Sequence, residues 1–148
     1  MPTVDQVKNK VLRMLSSQFD VRTDSDGDIV IKHESAICWV GVTQWNNNNE
    51  GRDIVVTVTA PMLWEVKRSP KLFEYVATQG QKYMIGRMAC NDHKDDPSLT
   101  NLFFEYNLLA DNLDEPELIN ATLLVLSTAN NLDDELQKEF GGKRTSDL

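Results

Sequence analysis

Cys90, Asp92, His93, Asp95 and Asp96 fall within the stretch "CNDHKDD", which concentrates more reactive side chains than any other part of the chain. A zinc site needs four ligands, and the Cys-x-x-His spacing supplies two. The nearest further groups are hard carboxylates, and the other histidine, His33, belongs to a different strand-like run. The stretch therefore reads as a charged connection between strands. A small enzyme or metal protein built on Cys90 and His93 stands as an alternative.

A second acidic cluster, "DSDGD" from Asp24 to Asp28, invites comparison with a calcium loop. Aligned on Gly27, Asp24 and Asp26 take ligand positions, but Arg22 falls at the first ligand position. His33 falls where a bidentate glutamate is required. A cation at the first position defeats the motif, and a solvated hairpin turn remains.

Nucleophilic or acid–base chemistry needs a poised residue beside a partner, and neither histidine has a nucleophile motif beside it. The seven glycines are scattered, so no phosphate-cradling loop forms. "NAT" at Asn120–Thr122 matches a glycosylation sequon but lies inside a helical pattern, and reads as chance. No catalytic residue, metal ligand or cofactor site is assigned.

The elements that carry these residues follow from periodicity. Thr3 caps an amphipathic helix, with Gln6 at the capping-box position and Val4, Val7, Val11, Leu12 and Leu15 on one face. "FDVRTDSDGDIVIKHES" reads as a hairpin whose strand is Ile29–His33. Two strand-like runs follow, about 36–45 and 53–60, joined by a polar connector containing Asn46–Asn49. "APML" leads towards a short helix, which Ser69 and Pro70 open and Gly80 closes. Residues 82–91 and 99–109 read as two more strands. Asp114, Pro116 and Glu117 start a long helix, whose apolar face runs from Leu118 to Phe140 and ends at Gly141 and Gly142.

The order is α-β-β-β-α-β-β-α, an α+β domain with a mostly antiparallel five-stranded sheet covered by helices. It is expected to span residues 1–142, with 143–148 as a loose tail.

Composition narrows the function classes. At 148 residues, one domain can bury ~70% of its unfolded surface. Fifteen basic against 23 acidic residues leave a net charge of −8, which disfavours nucleic-acid and anionic-membrane partners. No apolar run is long enough to cross a membrane, and the N-terminal residues lack the apolar core of a signal peptide. Cys38 and Cys90 both lie inside strand-like runs, as buried thiols in a reducing cytoplasm would.

The run Ala36–Trp45 is apolar on both sides. Ile37, Trp39 and Trp45 point one way; Ala36, Cys38, Val40 and Val42 point the other. A half-buried antiparallel strand normally shows one polar face. The second face is either ordinary core or dimer interface, or a surface kept for a partner.

The segments "DGDIVI", "CWVGVTQ", "IVVTVTAPML", "SPKLFEYVATQ" and "LFFEYNLLADNLDEPELINATLLVLSTANNLDDEL", in this order, resemble the type III secretion chaperone-like superfamily and its YbjN-type branch. The resemblance covers about residues 3–140 and implies a non-enzymatic, cytoplasmic α+β protein. It also implies homodimerisation and a protein or peptide client bound as an extended segment along an apolar patch. Ile37, Trp39, Trp45 and Phe103 are the candidate partner-binding surface, and the tryptophan side of the sheet is expected to stay open. The alternative role is a regulatory adaptor that binds a folded partner or acts through oligomerisation.

Overall fold

The computed structural model describes residues 2–45 and 53–148; the Asn-rich connector lies outside the described residues. Local signals set the three helices. Helix α1, Val4–Ser16, carries the full capping box: Thr3 Oγ1 accepts from Gln6 N–H at 3.2 Å, and Gln6 Oε1 accepts from Thr3 N–H at 2.9 Å. Helix α2, Pro70–Gln79, starts on Ser69, whose hydroxyl accepts from Leu72 N–H. Helix α3, Glu115–Phe140, starts on Asp114, whose carboxylate accepts from Glu117 N–H at 2.9 Å. Each cap satisfies a donor that the first helical turn would leave unpaired.

The strands are β1 (Asp20–Thr23), β2 (Ile29–His33), β3 (Ala36–Gln44), β4 (Ile54–Lys67), β5 (Arg87–Asp92) and β6 (Leu99–Leu109). They form one antiparallel sheet in the order β1-β2-β3-β4-β6-β5. Six strands replace the expected five because "DVRT" forms the first arm of the hairpin. That arm is short and largely polar, so its pattern resembled a loop. The acidic turn serves the hairpin: Asp24 Oδ1 accepts from the N–H groups of Asp26 and Asp28, and Gly27 takes φ 84°.

Strand β4 corrects a second expectation. It runs beyond residue 60, through "APML", to Lys67. Its ladder with β3 stops at Trp39–Thr59, two residues before Pro61, while its ladder with β6 continues through Pro61–Phe103. Proline lacks a donor, so a ladder can persist on only one side of it. Register shifts follow between Pro61 and Leu63 and between Leu63 and Val66. Such bulges break the two-residue alternation. Met62 and Leu63 are both fully buried, while Trp64 is only partly buried. Strand β5 begins at Arg87 rather than at residue 82, after Gly86 at φ 84°.

Helices and strands share one apolar core on one side of the sheet. Ile29, Ile31, Cys38, Val40, Val56, Val58 and Phe104 come from the strands; Val11, Leu15, Leu72, Leu118 and Val125 come from all three helices. The C-terminal residues do not form a loose tail. Trp64 and Lys143 exchange both backbone hydrogen bonds, at 2.7 and 2.8 Å, and Thr145–Asp147 forms a single 3-10 turn.

Candidate functional site

Strand alternation and the strand register build the helix-free face row by row. Trp39 lies beside Thr59, which faces Glu105, which faces Arg87. In the next row Pro61 faces Phe103, and Phe103 faces Ala89. Asn101 and Asn91 follow, with Trp64 brought onto this side by the bulge.

Between these rows lies an apolar hollow of about 250 Å³. Its walls include Trp39, Pro61, Trp64 and Phe103, with Asn91 and Asn101 at its edge. The two indoles meet edge to face, with centroids 6.1 Å apart and planes at 83°. That geometry places the positive ring edge against the negative ring face.

The polar groups around the hollow are paired. Asn101 Oδ1 accepts from Glu65 N–H at 3.1 Å, and Asn101 Nδ2 donates to Asn91 Oδ1 at 3.0 Å. Glu65 holds φ 55°, so this side-chain bond satisfies the backbone where the bulge interrupts the ladder. Further along the face, Thr57 Oγ1 donates to Asn107 Oδ1 at 2.7 Å. The Arg87 guanidinium makes two hydrogen bonds to Glu105 Oε1, at 2.8 and 3.0 Å. The face is thus apolar in the hollow and charge-balanced beside it.

Trp39 and Phe103, two of the four residues selected from sequence, share the hollow. Ile37 lines a neighbouring cavity of about 180 Å³ with Ala60, Leu126, Arg144 and Thr145; Pro61 is a wall common to both. Trp45 stands apart, one residue beyond the end of β3. It lies six residues along the chain from Trp39, roughly 20 Å in an extended strand, and it is 76% exposed. Trp64 and Pro61 were not selected. Their apolar types were visible, but only the bulge brings Trp64 to this side.

The reactive side chains of the sequence have structural settings. Burial pushes the Cys38 thiol up to about 12. Burial also raises Cys90, partly offset by its hydrogen bond with Thr100 and by the Arg68 charge. His93 Nδ1 accepts from the N–H groups of Asp95 and Asp96, at 3.2 and 3.0 Å. One imidazole nitrogen is therefore spent on holding the β5–β6 turn.

A family model described as "T3SS (YopN, CesT) and YbjN peptide-binding chaperone 1" matches residues 3–148. The chain belongs to this family. No curated protein matches it. Among solved structures, the crystal structure of YbjN from E. coli superposes with a TM-score of 0.60 over 96% of this chain and 97% of that one, at 10% identity. That likeness carries the fold. For a member of a peptide-binding chaperone family, a helix-free sheet face with an aromatic hollow is the feature of interest. The family match also takes in Lys143 and Thr145, which hydrogen-bond Trp64.

Proposed function

We propose that this protein binds an extended segment of a client protein across the helix-free face, with an apolar client side chain seated between Trp39, Trp64 and Phe103. The reading is of a cytoplasmic binding protein rather than an enzyme. The observation that carries it is the hollow itself. Two tryptophans, a proline and a phenylalanine converge on a face that no helix of the described residues covers, beside Asn101, which is hydrogen-bonded to Glu65 and Asn91. Indoles supply large contact area with few rotors to fix, which is why tryptophan dominates binding anchors. Two free cysteines suit a reducing compartment, and no helix among the described residues is long and apolar enough to cross a membrane.

Selection from a displayed library of random peptides tests the reading. Peptides recovered on the intact protein are expected to share a spaced apolar or aromatic anchor and to lose at least about tenfold in affinity on Trp39→Ala, the scale of a hot-spot residue. Recovered peptides that bind Trp39→Ala and Phe103→Ala unchanged would place the site elsewhere.

A second reading, an adaptor acting through oligomerisation and in its simplest form a homodimer, draws on a different surface. Met84 is fully exposed, and Ile85, Leu123 and Leu124 are each more than a third exposed. Ile85 and Leu124 line a groove of about 250 Å³ with Tyr106 and Leu108. Sedimentation of the wild type against Leu124→Glu, read beside the peptide selection, separates the two: a dimer that dissociates in the variant, together with no recovered peptide, supports the adaptor reading, since a dimer alone fits both.

A further inference from the structure

Beyond Trp39–Thr59, strand β4 runs on without β3 beside it. Part of the vacated lane is filled by the end of the chain. Lys143 exchanges both backbone hydrogen bonds with Trp64, and Arg144, Thr145 and Ser146 line a cavity with Ile37, Ala60 and Pro61. The approach is close: a Cβ added at Gly142 would fall 2.7 Å from the Trp64 carbonyl oxygen. Ion pairs fasten the segment, with Lys143 Nζ 2.6 Å from Glu65 Oε2, and Arg144 paired with both Asp134 and Asp147. Gln137 Nε2 donates to Gly142 O and to Asp147 Oδ2.

One further contact joins this segment to the hollow. Trp64 Nε1–H donates to Thr145 Oγ1 at 3.2 Å. The same indole packs edge to face on Trp39. Held at its nitrogen by the C-terminal turn, at its backbone by Lys143 and at its ring by Trp39, Trp64 is confined to one orientation. Without the hydroxyl and the bridge, a partly buried indole at a strand bulge has other staggered rotamers open to it.

We infer that the turn Lys143–Asp147 is a positioning element for the client site. Thr145 and the Lys143 bridge set the angle of Trp64 and so the width of the hollow against Trp39 and Phe103. The inference rests on the hollow being the peptide site. The segment acts through Trp64 rather than by touching the client. Binding through a wall fixed in advance loses less freedom on association.

The test uses the full chain labelled with 5-fluorotryptophan, its three resonances assigned by single Trp→Phe changes. Thr145→Val removes the acceptor at nearly constant volume, and Thr145→Ser keeps it. In Thr145→Val the Trp64 resonance is expected to move and broaden, with Trp39 following and Trp45 unchanged; Thr145→Ser restores the spectrum. Affinity for a peptide selected on the intact protein is expected to fall about fivefold, the scale of one lost neutral hydrogen bond, while Tm shifts by less than about 2 °C. Trp64 and Trp39 resonances that do not respond to Thr145→Val overturn the inference, whatever peptide binding does. Displaced resonances with unchanged affinity overturn it as well and count against the hollow as the peptide site. Peptides that ignore Trp39→Ala count against the proposed function alone.

Discussion

Val40 and Trp39 are neighbours on β3, yet Val40 is fully buried under the helices and Trp39 lines an open hollow. The same contrast extends across the sheet. On the helix side the fully buried side chains are nearly all aliphatic, with Phe104 the aromatic one among the described residues, while Tyr75, Tyr83, Tyr106 and Phe140 pack partly buried against them. The opposite side mixes Trp39, Trp64 and Phe103 with asparagines, threonines and a paired Arg87–Glu105. Branched aliphatic side chains fill a core densely and have no polar atoms to satisfy. Aromatic groups among already satisfied amides leave a surface wettable while keeping one place sticky. On the proposed reading, stability and recognition are carried by opposite faces of the same strands.

Mutations should separate the two faces. Phe104→Ala empties the core beneath β6 and is expected to cost about 3–5 kcal/mol, seen as a lower denaturation midpoint with an unchanged slope. Trp39→Ala, on the other face, should cost less, about 1–3 kcal/mol, because its side chain is only partly buried and opens no enclosed cavity. Its main effect should be on peptide affinity. Equal stability losses for the two variants would break the division of labour.

A smaller effect is expected from acid. The Lys143 ammonium, by hydrogen bond and charge, holds the Glu65 carboxyl below its ordinary range, and Arg144 does the same for Asp147. Both groups are more acidic folded than unfolded. Their contribution is therefore in place above the unfolded carboxylate value of about 4 and is lost as the pH falls through the folded values. Amide exchange at Trp64 and Lys143 should accelerate towards low pH before exchange at Val40 or Val56 does. Loss of protection at all four together would mean that the C-terminal turn and the core open as one unit.

Local features were legible and distant ones were not. The three helix starts rest on a cap and a residue three positions later, so Thr3, Ser69 and Asp114 could be read directly. The facing of Trp39 follows from counting by two, and the helices do cover the Cys38–Val40 side. Strand β1 escaped because a four-residue edge with Val21 as its one apolar residue has no apolar period to detect. The extension of β4 escaped because Pro61 reads as a breaker, whereas it ends only one of two ladders. The packed C-terminus escaped because its partners, Trp64 and Asp134, lie far off in sequence and across a bulge. Trp45 shows the limit of alternation: β3 ends at Gln44, so counting by two no longer applies one residue later.

The contact between Trp64 and Thr145 spans 81 positions of the chain. On the ribosome Trp64 emerges long before Thr145, so for that interval the bulge has neither its bridge nor its hydroxyl. Long-range closures of this kind come late in folding, and an unpaired strand end is where nascent chains misassociate. The core waits as well, because Val7 and Val11 of α1 share it with Val125 and Leu136 of α3, so both faces of the sheet are completed only after α3 and the turn behind it have emerged.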